Sequence, residues 1–385
     1  MKLIENYDVK IFTDNVEDVA LEQIMQLLSI DVFSGCKIRI MPDVHAGAGC
    51  VIGFTGDLGD KVIPNIVGVD IGCGILVQPF KCEKDIDFHE FNEYILKAIP
   101  IGRNFRGPEH LPLPEKYMPE YREAKQITRS LHCYRDLKNS KRIDKSIGSL
   151  GGGNHFIELN KDESGLLYLV VHTGSRNLGK QVADFYQQMA IKSLTKDGET
   201  LLPKALCFLQ GEQKEKYLHD MKLCQRWAVL NRKLIMGLLM DFLQSNSYVS
   251  SVNNEDAFES VHNYISDENL IRKGAISAKL GEKCIIPMNM RDGSLICIGK
   301  GNEDWNNSAP HGAGRVMSRT KAFEIIELND FKESMKGIYS ETISEGTKDE
   351  SPMVYKPMQE IVENISDTVS IINTLKPIFN FKAAE

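Results

Sequence analysis

Several features that would define other kinds of protein are missing from this sequence. It has no C-x-x-C pair, and its nine cysteines, at positions 36, 50, 73, 82, 133, 207, 224, 284 and 297, are odd in number. That argues against a disulfide framework and for a reducing, cytoplasmic setting. No apolar run is long enough to span a membrane, so no membrane partner is expected. The opening residues, Met1-Lys2-Leu3-Ile4, lack the basic-then-apolar layout of a signal peptide. Internal repeats, low-complexity segments and linker-like stretches are also missing. The 385 residues therefore read as one domain, 1–385, with ample length for a sizeable core. Positive charge is in deficit, with 46 Lys and Arg against 53 Asp and Glu, a net charge of -7. Such a chain is a poor non-specific binder of nucleic acid. An RNA or DNA partner would need a local basic surface or bound cations.

What is present is a series of polar residues set beside glycines. The stretch Val69-Asp70-Ile71-Gly72-Cys73-Gly74 follows an apolar run, 62–69, that reads as a buried strand. Asp70 offers a hard oxygen and Cys73 a soft thiolate able to bridge two metals. Alone, the pair would be a turn Asp beside an inert buried Cys. Further on, three glycines at 151–153 precede Asn154 and His155, and a strand near 167–171 ends in His172. The segment after it, Thr173 to Gly179, could cradle an anion with backbone N–H groups and Arg176, ahead of a helix over 181–195. His262 lies in a third strand-like stretch. Asp43 and His45, two apart at a strand end near residue 41, suggest the lip of a polar site, although in isolation a plain turn explains them.

Asn15 or Asp14 could cap a helix over 16–28, with Val19, Ala20, Ile24 and Leu27 on one face. Residues 87–98, 119–134 and 212–243 read as helices. Residues 135–145 carry Arg135, Lys138, Lys141, Arg142 and Lys145. Their plain reading is a solvated loop and their functional one a phosphate-contact surface. Near the C-terminus, Pro310-His311-Gly312-Ala313-Gly314-Arg315 reads as the entry to a helix running to about 328, whose N-terminus would favour a phosphate beside His311. A last helix is expected over 358–375.

Asp70, Cys73, His155, His172 and His262 are too many ligands for one open tetrahedral site. Two sites sharing Cys73 would use them all. Mixed Asp, Cys and His ligation suits Mn, Fe or Zn, and paired metals stabilise attacking and leaving oxygens in phosphoryl transfer. With His311 as a nucleophile, the residues point to a two-metal phosphoryl or nucleotidyl transferase.

The segments VDIGCG, SLGGGNHFIEL, VHTGSRNLG, VHN and HGAGRVMSR, in this order, closely resemble the RtcB family of RNA ligases, from MPDVHAG near residue 41 to the terminal KPIFNFK. The resemblance implies an α+β fold of mixed β-sheets with surrounding helices, a single compact domain with a deep metal-containing cleft. It implies ligation of RNA 2′,3′-cyclic phosphate or 3′-phosphate ends to 5′-hydroxyl ends, with GTP and two Mn²⁺ ions, in RNA repair or tRNA splicing. His311 would take GMP and pass it to the RNA 3′-phosphate, and the 5′-hydroxyl would displace it. Cys73 would bridge the ions, with Asp70 and His155 completing one site and His172 and His262 the other. Asn154 and Arg176 would contact phosphate. Glu158, Asn263, Ser294, Gly312, Ala313, Gly314, Tyr355 and Lys382, with Asn154 and His311, would hold the nucleotide. Asp43 would lie near the 5′-hydroxyl as a base. An archease-like activator is compatible with this reading, and the oligomeric state is left open by it. Where the family usually reads I-P-G-S-M-G, this chain has Ile286-Pro287-Met288-Asn289-Met290-Arg291. That departure, with a chain short for the family, reads as a compact branch directed to RNA repair more than to tRNA splicing. The competing readings are a two-metal phosphodiesterase and a catalytically decayed RNA-binding paralogue. The complete ligand set with His311 argues against the second.

Overall fold

The structure, a computed structural model, describes residues 1–4 and 7–384. Its frame is two largely antiparallel sheets, joined most directly at a single residue. The larger sheet runs Val249–Val252, Gly74–Cys82, Leu167–Thr173, Phe156–Lys161, Val369–Lys382, Gly293–Gly299, Lys283–Asn289, and Phe258–Val261 also pairs with Gly74–Cys82. The smaller runs Lys2–Leu3, Val9–Ile11, Ile38–His45, Ile52–Asp57, Leu270–Lys273, Asn263–Ile265. Phe258–Val261 belongs to the first and Asn263–Ile265 to the second, so His262 is the residue at which the chain passes between them.

Leu167–Thr173 is buried along its whole length because it has a sheet partner on each side and helices over it. The 35-residue helix Gly211–Ser245 packs on this sheet and contacts Phe88–Ala98, Met118–Ser130 and Arg176–Ser193. Ala228, Ile235 and Leu239 lie on its buried stripe, as their spacing predicts, and Trp227 is fully buried beside them. Among the described residues no helix is long and apolar enough to cross a membrane. All nine cysteines are unpaired. The α+β class and the mixed sheets agree with expectation.

Several elements depart from expectation, each for a local reason. Residues 62–69 are not a strand: Lys61–Val62 pairs briefly with Leu209–Gln210, and Pro64, lacking an N–H, opens a 3₁₀ turn, Pro64–Ile66. The apolar run is a buried turn instead. The first helix is Asp18–Leu28, and neither Asp14 nor Asn15 caps it. Asn15 instead bonds Thr13 and Glu360, and Val19 is exposed. The helix expected over 181–195 begins earlier, at Arg176. Residues 135–145 are ordered as a 3₁₀ turn and a short helix, Ser140–Lys145, because Ile143 is buried. No helix follows His311 directly. Gly312 and Gly314 interrupt the chain, Arg315 bridges to Tyr355, and the helix Arg319–Ile325 starts only after its Ser318 cap. The last helix stops at Ile365, and the β-branched residues beyond it form the long strand Val369–Lys382. Pro377 is accommodated there by a bulge.

One buried side chain ties the fold to the site. Asn231 Oδ1 accepts from Gly148 and Ser149 N–H, and its Nδ2 donates to the carbonyls of Ser149 and Gly174. It thereby clamps the two glycine-bearing loops to the long helix. Asn231→Ala orphans all of these buried groups and is expected to cost roughly 3–5 kcal/mol. A fall of that size in chemical-denaturation stability checks it; a loss under 1 kcal/mol would show that the loops hold themselves.

Candidate active site

The sheet register assembles the polar residues. Gly74 pairs with both Thr173 and Val261, and His172 lies opposite Ile75 and Phe156. Cys73, His172 and His262 therefore emerge at one end of three neighbouring strands. His262 N–H donates to the Cys73 carbonyl at 3.0 Å, locking the crossing to the turn. His155 comes from the residue preceding Phe156–Lys161.

The side-chain atoms converge closely. Cys73 Sγ lies 3.4 Å from His155 Nε2 and 3.3 Å from His172 Nε2, and His172 Nε2 lies 3.4 Å from His262 Nε2. Asp70 Oδ2 is 2.9 Å from His155 Nε2. Ligand atoms held at ~2.0–2.3 Å around a tetrahedral ion stand roughly 3.3–3.8 Å apart, so Cys73, His155 and His172 are spaced to hold a metal ion, while Asp70 and His155 are hydrogen-bonded. The ionisation of these groups agrees. Burial, reinforced by neighbouring imidazoles, drives the pKa values of His172 and His262 well below the usual range, keeping both neutral as ligands must be. The His172 Nδ1–H donates to the Asn154 carbonyl at 3.0 Å, which leaves Nε2 as the lone-pair nitrogen. For Asp70, burial raises the pKa, but the hydrogen bond and charge of His155 outweigh it and bring the carboxyl to about 2. Cys73 is held protonated by burial and by Asp70; a bound divalent cation reverses that balance. Two glycines make room. A Cβ on Gly174 would lie 2.2 Å from Asp70 Oδ1, and one on Gly151 2.4 Å from His155 Nδ1.

His311 stands beside the cluster, its ring centroid 4.9 Å from that of His262. Asp43, fully buried behind it, accepts from His311 Nδ1–H at 2.6 Å and from its backbone N–H at 3.2 Å. Nε2 is thus the ring nitrogen left for chemistry. Asp43 is brought against His311 and does not line the cavity, while His45 does.

That cavity has a volume of about 600 Å³, and its walls include Asp70, Cys73, His172, His262 and His311. Asn154, Glu158, Asn263, Gly312, Ala313, Gly314, Tyr355 and Lys382 line it too. Asn263 donates to the Asp70 carbonyl and accepts from Gly274 N–H. Glu158 accepts from Asn380 and Asn160, and burial, against the help of Asn160, Lys382 and Asn380, lifts its pKa to about 7. Ser294 is buried behind Pro287, its cross-strand partner, and is not on the wall. Arg176 also lies behind it, bonded to Ser149 Oγ and the Gly102 carbonyl and held at φ +55°, an uncommon backbone conformation for a residue with a side chain. Met288, Asn289 and Met290 all line the cavity, so the altered segment meets whatever binds there.

Glu350 is a site residue that the sequence did not disclose. Fully buried, it accepts from Tyr355 O–H at 2.6 Å and pairs with Lys382 at 3.0 Å and Arg315 at 3.3 Å. A lone Glu in an aperiodic Ser- and Pro-containing segment carries no signal of such burial.

The site holds donors able to bind a metal ion, and the relatives of the chain make it a nucleic-acid ligase. The chain belongs to the RtcB family: the family model described as tRNA-splicing ligase RtcB matches residues 23–383. It is 33% identical to an RNA-splicing ligase RtcB of Escherichia coli (strain K12), over 97% of each chain. It is 26% identical to a tRNA-splicing ligase RtcB of Methanococcus maripaludis, over 92% of this chain and 89% of that one. An RtcB homolog 2 from Entamoeba dispar is 27% identical over 90% of this chain and 80% of its own. Compactness is therefore shared with the Escherichia coli protein.

Two outcomes are expected. Cys73→Ala should lose bound metal, read by elemental analysis after gel filtration; an undiminished metal content in that variant would refute Cys73 as a ligand. Glu158, with its folded pKa raised above 4.5 to about 7, holds a proton that the unfolded chain releases. Its contribution to stability is complete below pH 4.5 and is lost as pH rises to 7, a change on the order of 2–3 kcal/mol. Metal-free Glu158→Gln should lack that part of the pH dependence; identical profiles for both proteins would refute the buried-proton assignment.

Proposed function

We propose that this protein seals RNA 2′,3′-cyclic phosphate or 3′-phosphate ends to 5′-hydroxyl ends, using GTP and two Mn²⁺ ions, through a guanylylated His311, in RNA repair or tRNA splicing in the cytoplasm. The observation that carries the reading is His311, oriented by a buried carboxylate and standing against a Cys–His–Asp cluster in one cavity.

The residues divide the work. Asp43 accepts from Nδ1–H, so the lone pair on Nε2 is free to attack the GTP α-phosphorus. The N–P bond forms as the bond to pyrophosphate breaks, and Asp43 stabilises the positive charge that the imidazole acquires. Cys73 would be shared by two ions, Asp70 and His155 completing one set and His172 and His262 the other. Divalent ions supply charge neutralisation at the attacking and leaving oxygens. Asn154 and Arg176 belong to the phosphate end, Arg176 reaching it only if its side chain turns from Gly102. Glu158 offers two acceptor oxygens for guanine N1–H and N2–H₂, the feature that distinguishes GTP from ATP. Tyr355 and Lys382, both fixed by Glu350, complete the nucleotide wall, and Ser294 supports it from behind. Asp43 is better placed to orient His311 than to act as base for the 5′-hydroxyl. An archease-like activator belongs to this reading as an option of the family.

Incubation with Mn²⁺ and GTP labelled at the α-phosphate tests the first step. Acid-labile, GTP-selective label on the chain is expected, and none in His311→Ala, which should still bind Mn²⁺. Absence of label with metals bound, even with archease and cyclic-phosphate RNA added, would move the assignment to a phosphodiesterase.

A further inference from the structure

The segment 134–145 is a basic feature that lies outside the cavity. It holds five basic residues against two acidic ones in a chain of net charge -7. Asp144 is buried and pairs with Arg129, so it does not offset the surface; Asp136 is exposed. Lys138, Lys141, Arg142 and Lys145 are exposed, as is Arg103 on the neighbouring loop, and none forms an ion pair among the described residues. The two pieces are built together. Arg142 donates to the Arg103 carbonyl at 2.8 Å and Arg106 N–H to the Lys145 carbonyl at 2.9 Å. Between them stands Phe105, with Arg142 Cζ 5.2 Å and Lys145 Nζ 5.8 Å from its ring centroid.

The strip is continuous with the catalytic corner. Gly102, next to Arg103, donates to the Gly151 carbonyl and accepts from Arg176. At the other edge, Gln181, on the helix that starts at Arg176, bonds both the N–H and the carbonyl of Lys138. Unpaired like charges gathered on one surface repel one another, and an external polyanion relieves that repulsion. An aromatic ring among such cations is the arrangement that tracks a single strand, the cations meeting phosphates and the ring meeting a base.

We propose that Arg103, Lys138, Lys141, Arg142 and Lys145, with Phe105 beside Arg142 and Lys145, form a docking surface for the single-stranded RNA segment leading to the end that is joined. This rests on the ligase reading and adds to it the path of the strand. It also explains how an acidic protein holds an anionic substrate: the attraction is local, on a surface tied by hydrogen bonds to the loop that carries His155.

The test compares wild type with Lys141→Gln/Arg142→Gln/Lys145→Gln and with Phe105→Leu, all in the Mn²⁺-loaded full-length protein. Guanylylation by GTP needs no RNA and should be unchanged in both variants. The triple variant should bind a 3′-phosphorylated single-stranded RNA at least tenfold more weakly at roughly 0.1 M salt. Its slope of log affinity against log salt should be shallower by about 2, from ~0.7 per lost phosphate contact. Phe105→Leu should lose severalfold in affinity with the slope kept. Unchanged affinity and slope in the triple variant, with guanylylation intact, would overturn the strip. Unchanged affinity in Phe105→Leu would remove the ring from it. Wild type that takes no GMP yet shows the variant effects would overturn the ligase reading and leave the strip standing.

Discussion

The site depends on the antiparallel register that sets Gly74 against Thr173 on one side and Val261 on the other. Strand side chains alternate with period two, so a slip by one residue would turn His172 to the opposite face. The register is held well beyond the polar residues, by the buried apolar run Leu167–Thr173 and by the long helix packed over it. His172 is thus carried by a strand buried along its whole length, and the core determines how closely the imidazoles approach.

Burying so many ligands has an electrostatic cost that the structure meets in two ways. Around Cys73, His172 and His262 remain neutral, and the one carboxylate, Asp70, is held by His155. At the opposite wall the charges are kept but gathered: Glu350 alone answers Lys382, Arg315 and Tyr355. The first arrangement is low in charge, and the second keeps an excess of positive charge beside a single buried carboxylate. An incoming nucleotide would meet both kinds of surface in one cavity, with His311 between them.

Much of this was legible in the sequence. Glycine beside Asp70, Cys73, His155 and His311 announced close backbone approach, and the helix 211–245 followed from its periodicity. Other features were hidden because they depend on tertiary contacts. Nothing local distinguishes a buried apolar turn at 62–69 from a strand until Pro64 is weighed. The segment after His311 looked like a helix entry, but glycine freedom was used there for a turn. Asp43 and His45 were visible as a pair, yet that Asp43 backs onto a histidine 268 positions away could only come from coordinates. Arg176 likewise showed its charge but not its attachment to Gly102.

The passage of the chain through His262 has a consequence for how such a protein can diverge. The strands on its two sides belong to different sheets, with no loop between them to absorb a change in length. An insertion or deletion between 258 and 265 would have to displace one sheet's pairing or the ligand itself. Lineages descending from this chain can lengthen their surface loops and exchange side chains on the cavity wall, as at 288–290, but this crossing can change only by substitution. Its length is therefore set by the two sheets together, and neither can change it alone.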